Sequence, residues 1–263
     1  WLLRETDPLY SGAVLAPVTV GRKRPTGSCG LIPIEDTPEQ RRQHFPFVTL
    51  LLIVINVAVY LYALFLGWEY PRFMRTYGLV PAEITIGRDI WPPSPIPVYL
   101  TLITSMFLHV GLLHLAGNMI FLWVFGDNVE DALGHLVFLG FYLICGVAAS
   151  LLQVISNPLS LIPNVGASGA IAGVLGGYLM LFPRANIRTL LFAAPFITIT
   201  RISAVLLILV WFAFQIASAL LELGFAGMRG SGVAFWAHIG GFISGLTIVT
   251  LLKAKRHTLT GLD

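Results

Sequence analysis

The sequence predicts an all-α membrane protein, a bundle of six transmembrane helices with a partly embedded first loop. Composition is the first reason. Only 11% of the 263 residues are charged and 56% are apolar, with a mean hydropathy of +0.82. A soluble domain of this size averages about 25% charged residues. The second reason is that the uncharged stretches have the length of a membrane crossing, roughly 20 residues. The formal net charge of +3 comes with no dense basic block, so nucleic acid is not an expected partner. The two cysteines, Cys29 and Cys145, lie far apart and suggest neither a disulfide framework nor a thiolate metal site. The chain opens on Trp1 with no signal pattern and reads as a fragment or a processed form.

Residues 1–46 mix charge with Pro and Gly and hold no sustained period, so they read as a loose polar tail. Phe47 to Leu66 is the first span. Residues 90–126 carry no Asp, Glu, Lys or Arg, too long a run for one ordinary span. Its Pro-rich start cannot be regular helix. The second helix is therefore placed at about 112–125, with 95–111 as irregular structure shielded from lipid by protein. "GDNVED" (126–131) reads as a polar turn. Further spans fall at about 136–155, 166–182, 202–221 and 232–252, and a short basic tail follows from 253 to 263. The membrane domain is thus 47–252. Six spans put both ends on one side, and basic residues mark the inner side. The head, the fourth connection (Arg184, Arg188, Arg201) and the tail hold twelve of the 16, so both termini are expected to be cytoplasmic.

Polar side chains within spans are hidden or used. Those here are His109, His114, Asn118, Gln153, Ser168, Gln215, His238 and Ser244. His114 and Asn118, at i and i+4, share a helix face. Gly241 and Gly245 make a bare stripe beside His238. Ser168 sits in "NVGASGAIAGVL" (164–175), where two readings compete: small residues that let helices pack closely, or bare backbone around a nucleophile. Depth favours the second. Counting from the outer ends at about 1.5 Å per residue, His114, Asn118, Ser168 and His238 fall within about 10 Å of one another. A serine, a histidine and an amide at one level suggest acyl transfer. Ser168 would attack and His238 would take its proton. Asn118, His114 and backbone N–H groups bared by Gly166, Ala167 and Gly169 would hold the oxyanion. No carboxylate lies inside a span to support the histidine, so the arrangement is a dyad and something else must hold the ring. Gln153, Gln215 and Ser244 read as packing groups. Three histidines could hold a metal, but no Cys or carboxylate joins them at that depth, and no cofactor is expected because serine chemistry needs only water. The polar groups stop in the outer third, which disfavours a transport path.

These residues resemble the rhomboid family of intramembrane serine proteases. "HVGLLHLAGNM" (109–119), "FGDNVEDALG" (125–134), "GASGAIAG" (166–173) and "WAHIGGFISG" (236–245) match in order and spacing, and the likeness runs over roughly 32–253. The resemblance implies Ser168 as nucleophile, His238 as base, and His114, Asn118 and the backbone at Ser168 as oxyanion site. It implies a supporting role for His109, and a structural one for Glu130 in tying the turn between the second and third spans. It implies single-span membrane proteins as substrates, admitted past the fifth span, and a multi-pass protein of the bacterial plasma membrane. Several members carry a large side chain four residues after the serine, where this chain has Ala172; Phe182, Trp236 or another ring would then orient His238. The rival reading is an inactive relative that binds membrane helices without cutting them. The sequence assigns no oligomeric state.

Overall fold

The computed structural model describes residues 29–37, 43–90, 94–193, 196–224 and 234–260. In chain order it comprises strand β1 (Cys29–Thr37), α1 (Phe47–Phe65), α2 (Tyr70–Tyr77), α3 (Pro81–Ile86), α4 (Thr101–Thr104), α5 (Leu112–Leu133), α6 (His135–Ser156), α7 (Ser168–Leu181), β2 (Asn186–Ala193), β3 (Phe196–Ser203), α8 (Ala204–Gly224) and α9 (Phe235–Thr260). It is an all-α membrane bundle. Helices α1, α5, α6, α8 and α9 are long and apolar enough to cross a bilayer. The sixth, α7, has 14 residues. At about 1.5 Å per residue it spans roughly 21 Å, short of a ~30 Å hydrocarbon layer. Its shortness is tolerable because it is the buried centre of the bundle, with every residue from Gly169 to Tyr178 buried.

Glycines set how closely that centre packs. A Cβ on Gly241 of α9 would overlap the carbonyl oxygen of Gly169 on α7, and one on Gly245 would overlap that of Gly173. Backbone therefore touches backbone along the α7–α9 seam, the geometry small-residue stripes allow. The rest of the core is filled by large buried rings, Phe125, Phe138, Tyr142 and Tyr178 among them.

Three expectations change. Residues 126–131 are not a turn: α5 runs on to Leu133 and breaks at Gly134, which has φ +83°. The polar run stays helical because its side chains find partners. Glu130, 1% exposed, accepts the N–H groups of Val48 (2.8 Å) and Thr49 (2.7 Å). It thereby caps α1, whose first N–H groups have no intrahelical acceptor, and it also meets Nδ1 of His135 (2.5 Å). Glu130 ties the start of α1 to α5 and, through His135, also ties the break between α5 and α6. Second, part of the presumed loose tail is strand β1, while residues 1–28 of that tail lie outside the described residues. Third, the fourth connection is a β-hairpin. The strands form an antiparallel sheet in the order β1-β2-β3, with Ile32 opposite Leu190 and Leu190 opposite Ile199. The sheet is anchored below the short α7, where Asp36 accepts from Tyr178 Oη (2.7 Å) and Asn128 Nδ2 (2.6 Å).

The first loop, expected to be irregular and shielded from lipid over 95–111, is short helix over Val98–Phe107 and covered on one side only, with Tyr99, Leu100, Ile103 and Val110 exposed. Thr101, Ser105, Met106, Leu108 and His109 are buried, and Gly146 of α6 gives way to the side chain of Met106. This loop also fixes the segment before Ser168. Leu79 and Asn164 exchange backbone hydrogen bonds of 3.0 and 2.7 Å, and Gly166 N–H donates to Ser105 O (2.9 Å).

Candidate active site

Ser168 is the first residue of α7, with Ala167 as its N-cap. A serine there stands beside the unsatisfied N–H groups of a helix start. Gly166, two residues earlier, has φ +131°, a conformation open to glycine and strained for other residues. His238 lies in the first turn of α9. The tight seam between the two helices brings its Nε2 to 2.8 Å from Ser168 Oγ. Ser168 is half-buried and His238 is 9% exposed. His114 and Asn118 come up from α5 on the other side of Gly166. A Cβ at Gly166 would lie 2.8 Å from the His114 ring and 3.7 Å from Asn118 Nδ2. Bare backbone at 166 is thus what lets these two side chains close on the chain two residues before the serine.

His109 is fully buried, its Nε2 2.8 Å from Asn118 Nδ2 and its ring 5.0 Å from that of His114, edge to face. The amide donates to this nitrogen, so His109 holds both Asn118 and His114 in place. Ser168, His238, His114, Asn118, His109, Ala167 and Gly166 therefore converge at one end of the bundle, while Gly169, Gly241 and Gly245 build the seam that carries Ser168 and His238. A cavity of about 30 Å³ reaches Ser168 past Ala149, Ser150 and Gln153. That is room for a water molecule or two. Gln153 itself accepts the N–H of Ala237 (3.2 Å).

One contact of His238 comes from a residue to which the sequence gives a packing role. Gln215 of α8 is 5% exposed, and its Oε1 lies 2.8 Å from Nδ1 of His238. The only sequence signal for it was an amide inside an otherwise apolar span, which fits a helix-to-helix hydrogen bond equally well. The ring beside His238 is Trp211, with centroids 5.8 Å apart and planes inclined by 38°. It is neither Phe182, which packs on Tyr178, nor Trp236. Ala172 is fully buried, 3.4 Å from where a Cβ on Gly241 would stand, so the seam itself leaves no room there for a ring.

This fold and constellation are those of a membrane-embedded helical family, and the chain's likeness to known proteins agrees. Residues 97–255 match the Rhomboid domain, and the chain belongs to the rhomboid family. It is 30% identical to the yeast (Saccharomyces cerevisiae) "Rhomboid protein 1, mitochondrial" over 202 residues, 74% of this chain and 50% of that protein. It is 29% identical to the human "Presenilin-associated rhomboid-like protein, mitochondrial" over 204 residues, 76% of this chain and 46% of that one. It is 42% identical to "Rhomboid protease GluP" of Bacillus subtilis over 78 residues, 30% of this chain and 15% of that protein. The chain thus spans about half the length of the two mitochondrial relatives.

Proposed function

We propose that this chain is an intramembrane serine endopeptidase acting on single-span membrane proteins. The 2.8 Å contact between Ser168 Oγ and His238 Nε2 is the observation that carries the reading. Ser168 Oγ attacks the scissile carbonyl carbon while its proton passes to His238 Nε2. The negative charge that develops on the carbonyl oxygen faces Asn118, His114 and the N–H groups at the start of α7. His238 then gives its proton to the leaving amine, and the C–N bond breaks to leave an acyl group on Ser168. Water from the cavity, deprotonated by His238, attacks that acyl group and releases the carboxylate and the free serine. The substrate enters as a helix, because the site lies among spanning helices and the reacting bond must come to it through the bilayer.

Both termini are assigned to one side of the membrane, the side richer in Lys and Arg. The distribution of Lys and Arg supports this, and so does the pairing of β1 with β2, which puts the head and the fourth connection at one end of the bundle. The site then opens toward the opposite leaflet. The protein is an integral, multi-pass membrane protein. Its relatives include two with mitochondrial names and one from a bacterium, and they do not favour a bacterial plasma membrane over a mitochondrial one.

The test is cleavage of a generic single-span substrate in liposomes by the unsubstituted chain beside Ser168→Ala and His238→Ala. Cleavage that both substitutions abolish is the expected result. A folded protein that captures substrate helices and cuts none would replace this reading with the helix-binding one.

A further inference from the structure

We infer that Gln215 is the positioning residue of the base and that, because it rides on α8, the seating of that helix decides whether His238 is competent. The inference rests on the Ser168–His238 reading above. An acyl-transfer histidine needs its Nε2 bare and aimed at the nucleophile, which requires the proton on Nδ1 and a fixed ring. Gln215 supplies both. Its Oε1 can only accept, so the 2.8 Å contact keeps a proton on His238 Nδ1 and leaves Nε2 free to accept from Ser168. Among the described residues no carboxylate is hydrogen-bonded to His238, and Ala172 offers no ring. Orientation falls to Gln215 and to Trp211, which precedes it by four residues on the same helix face.

The two groups that hold the ring thus share one helix, and it is the span the bundle holds least. Of the α8 span 22% is buried, against 33 to 50% for the other four long spans. Ser168 and His238 lie on the glycine seam, which cannot open without separating touching backbones. A shift of α8 by about 1 Å breaks a 2.8 Å hydrogen bond and frees the ring while the seam stays closed. The stack of Phe212 on Phe242, with centroids 4.1 Å apart, is a contact that holds α8 to α9 without touching the site.

The experiment uses the full chain in liposomes with a single-span substrate, and in parallel the rate at which a fluorophosphonate labels Ser168. Gln215→Met keeps the size and loses the acceptor. It should lower kcat on the order of 10²-fold, the scale of a general base, with KM unchanged and labelling slowed in step. Gln215→Glu should restore most of the rate and move the acid limb of the kcat profile upward by about one pH unit or more, since a carboxylate on Nδ1 favours the charged imidazole. Phe212→Ala should lower kcat on the order of 10-fold and add little to the loss in Gln215→Met, because both act through the ring. A fully active Gln215→Met, or equal losses in the Met and Glu variants with an unmoved acid limb, would reduce Gln215 to helix packing. Additive losses from Phe212→Ala and Gln215→Met would sink the link to α8. Ser168→Ala and His238→Ala keep the two readings apart: if they stay active the dyad itself fails, and if they are silent while Gln215→Met is active only this inference does.

Discussion

Helices α7 and α8 are both apolar and both face α9, yet they are held in different ways. Along α7 the neighbour is backbone: Gly169 and Gly173 carbonyl oxygens fill the space a side chain on Gly241 or Gly245 would need. Along α8 the contacts are side chains such as Phe212 on Phe242, and much of the helix faces outward, with Leu206, Val210 and Phe214 all more than half exposed. Ser168 and His238 therefore stand on the backbone-packed pair, and Gln215 and Trp211, which meet the His238 ring, stand on the helix held by side chains. On the proposed reading, the seam keeps the Ser168–His238 distance while the competence of His238 follows the seating of α8.

The largest expected effect breaks that contrast from the rigid side. Gly245→Ala places a methyl group on the Gly173 carbonyl oxygen, and neither backbone can yield alone. The cost should exceed about 4 kcal/mol, within the exceptional class of single substitutions, and thermal unfolding in detergent would show it. A variant that unfolds like the unsubstituted chain would mean the seam is looser than drawn. A matched pair of leucines sharpens the comparison. Leu175→Ala on α7 removes a side chain that is 1% exposed and should cost about 2–5 kcal/mol. Leu209→Ala on α8 removes one that is 46% exposed and should stay within about 0.5 kcal/mol. Equal losses at the two sites would remove the distinction between the helices.

The smallest effect lies in the first loop, which holds the segment before Ser168. Burial pushes the Glu83 carboxyl above the ordinary carboxylate range, opposed by the Ile90 N–H and by Arg75. The folded chain then binds this proton more tightly than the unfolded chain. Glu83 contributes fully below its unfolded pKa, and the contribution is lost as pH rises through the raised folded value. Thermal stability measured from mildly acid to neutral pH should carry a small downward slope that Glu83→Gln removes. An unchanged slope in that variant would show that the carboxyl is solvated.

How much was legible differs from one residue to the next. Ser168, His238, His114 and Asn118 could be set at one depth because a spanning helix converts residue number into height; His109 precedes its helix, so that arithmetic does not reach it and only the resemblance gives it a supporting role. The glycine stripe of Gly241 and Gly245 was legible for the same reason. Gln215 was visible as a polar residue in α8, but its partner was not: an amide in a span reads alike whether it touches a neighbouring helix or orients a base. The sheet had a local signal in the alternating "ITIT" of residues 197–200, a period suited to a strand. Its first strand had almost none, since Pro33 and two carboxylates interrupt it and its partner is about 150 residues away in sequence.

The sequence by itself determined the solvent, the five long apolar helices, and that Ser168 and His238 stand near the starts of their helices, because these follow from hydropathy and helical rise along each segment alone. The tertiary structure decided what only neighbours can: that "GDNVED" stays helical because α1 and β1 satisfy its side chains, and that α7 can be short because the bundle encloses it. It also decided that His238 meets α8, where the rotation and seating of one helix bring the Gln215 amide to Nδ1 of the ring.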